Sequence, residues 1–248
     1  MKQPVWLWLN LLSLDAPLVA LVWQDFLARC YPSVLRPSSR CVLALTVWAI
    51  YLADRLLDVR HPAAENESAR HRFSRQNRVF AGSLLAAVLI ADGVAAVRWL
   101  RPAVLSGGLF VGAAVFTYLL LFAGWRKGGS GWKQTCAAML FTSGVFLVAW
   151  TNTTYPWRTL ACPAAAFFAL CLGNMALAES WEFSTSINGW LWMVLLALVC
   201  VSLSRSRWYA ASALSAAGLA AIDRWGGKLS REAQGVLADA VLLAPLLF

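Results

Sequence analysis

The segment Ala103-Val-Leu-Ser-Gly-Gly-Leu-Phe-Val-Gly-Ala-Ala-Val-Phe-Thr-Tyr-Leu-Leu-Leu-Phe-Ala-Gly124 carries no charged residue over 22 positions. A helix needs about 20 predominantly apolar residues to cross the hydrocarbon core of a bilayer. This stretch therefore predicts a transmembrane helix, and its neighbour, residues 79–99, repeats the pattern with one internal carboxylate, Asp92. The rest of the 248-residue chain agrees: 60% of it is hydrophobic, 13% is charged, and the mean hydropathy is +0.63. A soluble domain carries about 25% charged residues. Half that proportion cannot cover a water-facing surface, which excludes an ordinary soluble protein and a disordered one. The 14 Trp suit a membrane protein, because Trp gathers at the two interfaces.

The same ruler gives nine apolar runs: 10–30, 41–59, 79–99, 103–124, 134–151, 159–181, 189–204, 207–223 and 232–248. The expected fold is all-α, a polytopic transmembrane helical bundle of about nine spans in a single domain, 1–248. The longest polar stretch, His61 to Asn77, leaves no room for a soluble domain. With nine spans, 13 of the 21 Lys and Arg fall on the side that holds the N-terminus, and 8 on the other. By the positive-inside rule the N-terminus is cytoplasmic, in what reads as a multi-pass protein of a bacterial inner membrane. The net charge of +9 thus reads as an orientation signal and not as a nucleic-acid surface. The six Cys form no CxxC pair and mostly lie within apolar runs, as small hydrophobes.

Carboxylates in or beside a membrane are costly and mark functional candidates. One cluster, residues 51–61, reads Tyr51-Leu-Ala-Asp54-Arg55-Leu-Leu-Asp58-Val-Arg60-His61. Asp54 and Asp58 are four apart and share one helical face, a spacing that suits a hard divalent cation. Arg55 and Arg60 suit the phosphates that such a cation would bring. The same residues also suit solvated ion pairs at a helix end. A second cluster, residues 174–182, reads Asn174-Met-Ala-Leu-Ala-Glu179-Ser-Trp-Glu182. Glu179 and Glu182 are three apart, and Asn174 lies about 12 Å and 80° from Glu182 on a helix. A terminating helix with a negative loop has the same composition. Both clusters end spans four apart on one predicted face, with Arg72 and Lys133 in the loops between. Together they outline a metal–diphosphate site in which the leaving group is stabilised electrostatically. Asp239, about 10 Å into the last span, is a further candidate for contact with substrate, or a carboxylate paired with an Arg at a broken helix.

These two acidic segments, the nine-span layout, and the stretch Lys133-Gln-Thr-Cys-Ala-Ala-Met-Leu-Phe-Thr-Ser-Gly144 resemble the UbiA superfamily of intramembrane prenyltransferases. Asp54 and Asp58 match the last two acids of that family's first motif, with Ile50 and Tyr51 at its leading positions. Asn174, Glu179 and Glu182 stand in place of the second motif at a different spacing. The resemblance implies Mg2+-dependent transfer of an isoprenyl group from its diphosphate to a lipophilic or aromatic acceptor, on the cytoplasmic side of the membrane. It implies one Mg2+ on Asp54 and Asp58 and a second on Asn174, Glu182 and Glu179. Arg55, Arg60, Arg72 and Lys133 would hold the diphosphate, with Tyr51 and Asp239 against the substrate. Two alternatives stand beside it: cyclisation of the prenyl chain, as in UbiA-type terpene cyclases, and a non-catalytic transporter or scaffold.

Overall fold

In the computed structural model every apolar run predicted above is occupied by helix. The structure describes residue 10 and residues 12–58, 75–122, 131–151, 156–183, 188–203 and 206–248, and no strand occurs among them. The α-helices are α1 (Asp15–Cys30), α2 (Pro37–Asp58), α3 (Arg78–Trp99), α4 (Pro102–Phe122), α5 (Gly131–Trp150), α6 (Trp157–Phe183), α7 (Gly189–Ser202), α8 (Arg207–Trp225) and α9 (Arg231–Val241). Short 3-10 turns follow at Gly226–Lys228 and Ala244–Leu247. Among the described residues three helices, α3, α4 and most of α6, are long and apolar enough to cross a membrane. Exposed Ile90, Val97, Phe110 and Leu121 on α3 and α4 leave an apolar surface of the kind that lipid covers.

The chain divides into two compact units: residues 1–21 with 36–127, and residues 22–35 with 128–248. In the first, Ala49 and Leu52 of α2 pack on Val88 of α3, flanked by Trp48 and Leu84. The two helices run antiparallel in a register fixed by polar bonds. Ser38 Oγ donates to the Trp99 carbonyl at 3.2 Å, and Thr46 Oγ1 donates to Asp92 Oδ2 at 2.8 Å. The segment before α1 is tied to α2, because Trp48 Nε1 donates to the Leu12 carbonyl at 2.8 Å. Ser13 in that segment is buried with φ 58°, a left-handed turn closed by its N–H on the Asn10 carbonyl.

The second unit is built around aromatic rings. Trp23, Phe26, Phe146, Phe167 and Trp208 are almost fully buried, with Trp23 and Trp208 edge to face at a centroid separation of 5.0 Å. Phe146 meets Trp208 at 5.5 Å, and Phe26 stacks on it at 5.9 Å. Buried indoles need an acceptor. Trp23 Nε1 donates to the Leu242 carbonyl at 2.8 Å, and Trp208 Nε1 to the Pro163 carbonyl at 3.2 Å. Pro163 sits inside α6, where it has no backbone N–H to give, and its carbonyl accepts the Trp208 indole. The last apolar run is not one helix. The α-helix stops at Val241, and Pro245 falls in the first turn of the 3-10 segment, where its missing N–H is tolerated.

Candidate functional site

The first acidic cluster ends α2. The Thr46–Asp92 and Ser38–Trp99 bonds set the antiparallel register, which carries Asp54 level with Ser83 and Leu84. It carries the backbone of residue 58 level with the first turn of α3. Asp54 and Tyr51 are half-buried there, and both make contacts of their own. Arg55 behaves differently from a phosphate ligand on an open face. It is only 6% exposed, and its Nη1 donates to the Asn10 carbonyl at 2.7 Å. Asn10 in turn donates through Nδ2 to Asp15 Oδ2 at 2.9 Å, and Asp15 Oδ1 accepts the Ala16 N–H at the start of α1. The charge on Arg55 therefore anchors the segment before α1 against the acidic end of α2. The Asp58 side chain, Arg60 and Arg72 lie outside the described residues.

The second cluster sits at one end of the other unit, and four bonds assemble that end. Gln134 Nε2, in the first turn of α5, donates to Glu179 Oε2 near the end of α6. Trp181 Nε1 donates to Asp223 Oδ1 at 2.9 Å, joining α6 to the end of α8. Asp223 Oδ2 accepts the Trp190 N–H at 2.9 Å, which satisfies an otherwise orphaned donor in the first turn of α7. Arg231 Nη1, at the start of α9, donates to the Glu182 carbonyl at 3.1 Å. Lys133, Glu179, Glu182 and Arg231 thus gather around the ends of α5, α6, α8 and α9. Asp239 is half-buried two residues before α9 ends.

Asn174 is not at this end. It lies eight residues before Glu182, about 12 Å deeper along α6. Two contacts, Gln134 with Glu179 and Phe146 with Phe167, fix the antiparallel register of α5 against α6. That register places Thr142 level with Cys171, about one helical turn from the level of Asn174. Asn174 Oδ1 and Thr142 Oγ1 are both buried, and neither has a hydrogen-bond partner among the described residues. Gln24 Oε1, on α1, shares that condition. A buried acceptor without a donor costs about 1–3 kcal/mol, so such atoms mark places where water or a ligand belongs. Sequence reasoning passed over Thr142 and Gln24. The available signal was a polar side chain within an apolar run.

As donors for Mg2+ the two clusters differ. By sequence spacing alone, Asp54 and Asp58 suit an ion that takes one or two protein carboxylates and completes its shell with water and phosphate oxygens. On α6, Asn174 and Glu179 project about 140° apart, and Glu179 faces Gln134. Among the described residues no three His, Cys, Asp or Glu side chains converge as a metal site. The aromatic residues near the clusters have structural partners: Trp48 holds Leu12, and Trp181 holds Asp223. Comparison of the chain with family models, curated proteins and solved structures finds no match.

Proposed function

We propose that this chain is a multi-pass membrane enzyme that binds an isoprenyl diphosphate at the acidic end of α2 and transfers the prenyl group to a lipophilic or aromatic acceptor. The observation that carries the reading is the Asp54–Asp58 pair, turn-spaced at the end of a helix in a strongly apolar chain. Asp54 stands level with Ser83 and Leu84 of α3, and the next residue, the buried Arg55, ties the segment before α1 to this end of α2. The likeness of this segment and of residues 174–182 to the UbiA superfamily supports the same chemistry. A Mg2+ bound to Asp54 and Asp58 would supply the positive charge that lets the diphosphate leave. Arg60 and Arg72 are the cations assigned to the diphosphate. On this reading the chain is multi-pass, with the N-terminus and the acidic end of α2 on the cytoplasmic side.

Transfer is preferred to cyclisation for one physical reason. The interior rings of the second unit, Trp23, Phe26, Phe146, Phe167 and Trp208, are consumed by packing on one another and by their bonds to carbonyls. The test is product analysis after incubating the purified protein with Mg2+, prenyl diphosphates of several lengths and a phenolic acceptor. Prenylated acceptor from the wild type, and none from Asp54→Ala or Asp58→Ala, supports the reading. Product formed equally by the variants, or a cyclised hydrocarbon made without acceptor, overturns it. No turnover by the wild type with any length points instead to a transporter or scaffold.

A further inference from the structure

The second unit carries a groove of about 340 Å³ between α7 and α8 that neither acidic cluster uses. Its wall on α7 is Val194, Leu198 and Val201, and on α8 the small side chains of Ala217 and Ala221 open it. One end is different in character: Trp190, Arg224 and Trp225 close it. From Trp190 to Val201 the groove follows α7 for eleven residues, about 16 Å. That is close to the depth of one leaflet of hydrocarbon, half of about 30 Å. Arg224 is exposed, and no hydrogen bond or ion pair is recorded for it among the described residues. Lys228 stands exposed one turn on, and Trp225 is 76% exposed. The neighbouring acid, Asp223, is already satisfied by Trp181 and by the Trp190 N–H, which also hold the mouth of the groove in place.

We infer that this groove is a binding site for one membrane phospholipid with an anionic headgroup. An acyl chain lies along Val194, Leu198 and Val201, the glycerol region meets the two Trp rings, and Arg224, with Lys228, pairs with the headgroup. Each part answers a feature of the site. An apolar trough one leaflet long takes one chain, aromatic residues at its mouth sit at the interfacial level, and basic residues there select negative lipid. The inference rests on membrane embedding of α7 and α8 and not on the prenyl-transfer reading.

The experiment is native mass spectrometry of the full chain released from nanodiscs of phosphatidylcholine alone or mixed with phosphatidylglycerol. The wild type should retain one phosphatidylglycerol in preference to phosphatidylcholine. Arg224→Gln should lower that occupancy about fivefold, the effect of one basic residue at a membrane surface. Ala217→Leu, a change at an exposed position that fills the trough, should lower retention of both lipids. Equal retention of the two lipids, or an Arg224→Gln protein that holds phosphatidylglycerol as well as the wild type does, overturns the site. So does displacement of the lipid by a prenyl diphosphate, which would assign the groove to substrate. Because Arg224→Gln changes only an exposed side chain, its result is readable even if Ala217→Leu fails to fold.

Discussion

Replacing Asp223 by Asn should loosen the junction of α6, α7 and α8 by an amount that can be worked from two bonds. One carboxylate oxygen accepts the Trp181 indole N–H and the other the Trp190 backbone N–H, both at 2.9 Å. An amide offers a single oxygen, so one of the two donors must face an NH2 group. A hydrogen bond to a charged group contributes about 1.5–3 kcal/mol. The site is half-buried, which places the loss of one bond and the weakening of the other near 2 kcal/mol together. For a chain of this size each kcal/mol moves the midpoint by about 2–4 °C, so Asp223→Asn should melt about 4–8 °C below the wild type. The assay is thermal unfolding in detergent at one scan rate, followed by circular dichroism. Trp181→Phe provides the internal check, because it removes one donor. In the double variant the surviving amide oxygen serves Trp190 without conflict, so the combined loss should fall short of the sum by about 1 kcal/mol. A midpoint for Asp223→Asn within about 1 °C of the wild type, or strict additivity with Trp181→Phe, refutes the arrangement.

Other perturbations probe the rest of the structure. Gly218→Ala would bring its Cβ to 3.0 Å from Cγ2 and 3.3 Å from Cβ of Val241, a stiff β-branched side chain. It should cost about 1–3 kcal/mol in the same melting assay, and Val241→Ala should recover most of the loss. Trp208→Phe keeps most of the ring packing but gives up the bond to the Pro163 carbonyl, so it should cost about 1 kcal/mol, whereas Trp208→Ala should cost about 3–5 kcal/mol. Arg55→Met should destabilise the first unit by about 2–3 kcal/mol and expose the segment before α1 to limited proteolysis. Arg55→Lys should retain part of the protection, and equal cleavage of the wild type and Arg55→Met would show that the Asn10 contact does not hold that segment.

Helix positions were legible in the sequence because apolar runs between charged loops leave few choices. Their ends were less so. The second apolar run starts at residue 41, yet α2 begins at Pro37, since Pro is well suited to a first helical position and Arg40 falls within the first turn. The break in the final run, 232–248, was legible in Asp239 and Pro245: Pro cannot continue an α-helix, and the chain changes to a 3-10 turn there. The acidic residues of the candidate site stood out because charge is scarce in this chain. Their partners did not. Asp223 reads in the sequence as a neighbour of Arg224, whereas its bonds reach Trp181 and Trp190, 42 and 33 residues away. Arg55 reads as a phosphate ligand from its place between two acids, but burial turns it toward a carbonyl 45 residues earlier. Local spacing carries information about one helix face. Long-range partners are set by tertiary packing, which a single sequence does not display.

The central claim is that the acidic end of α2 serves diphosphate chemistry. Its most direct measurement is Mg2+-dependent release of diphosphate from prenyl diphosphates by the purified protein, beside Asp54→Ala with its folding verified by circular dichroism. The account predicts release by the wild type that is lost on chelation of Mg2+ and lost in Asp54→Ala. Equal release by the two proteins, or release indifferent to Mg2+, would contradict it.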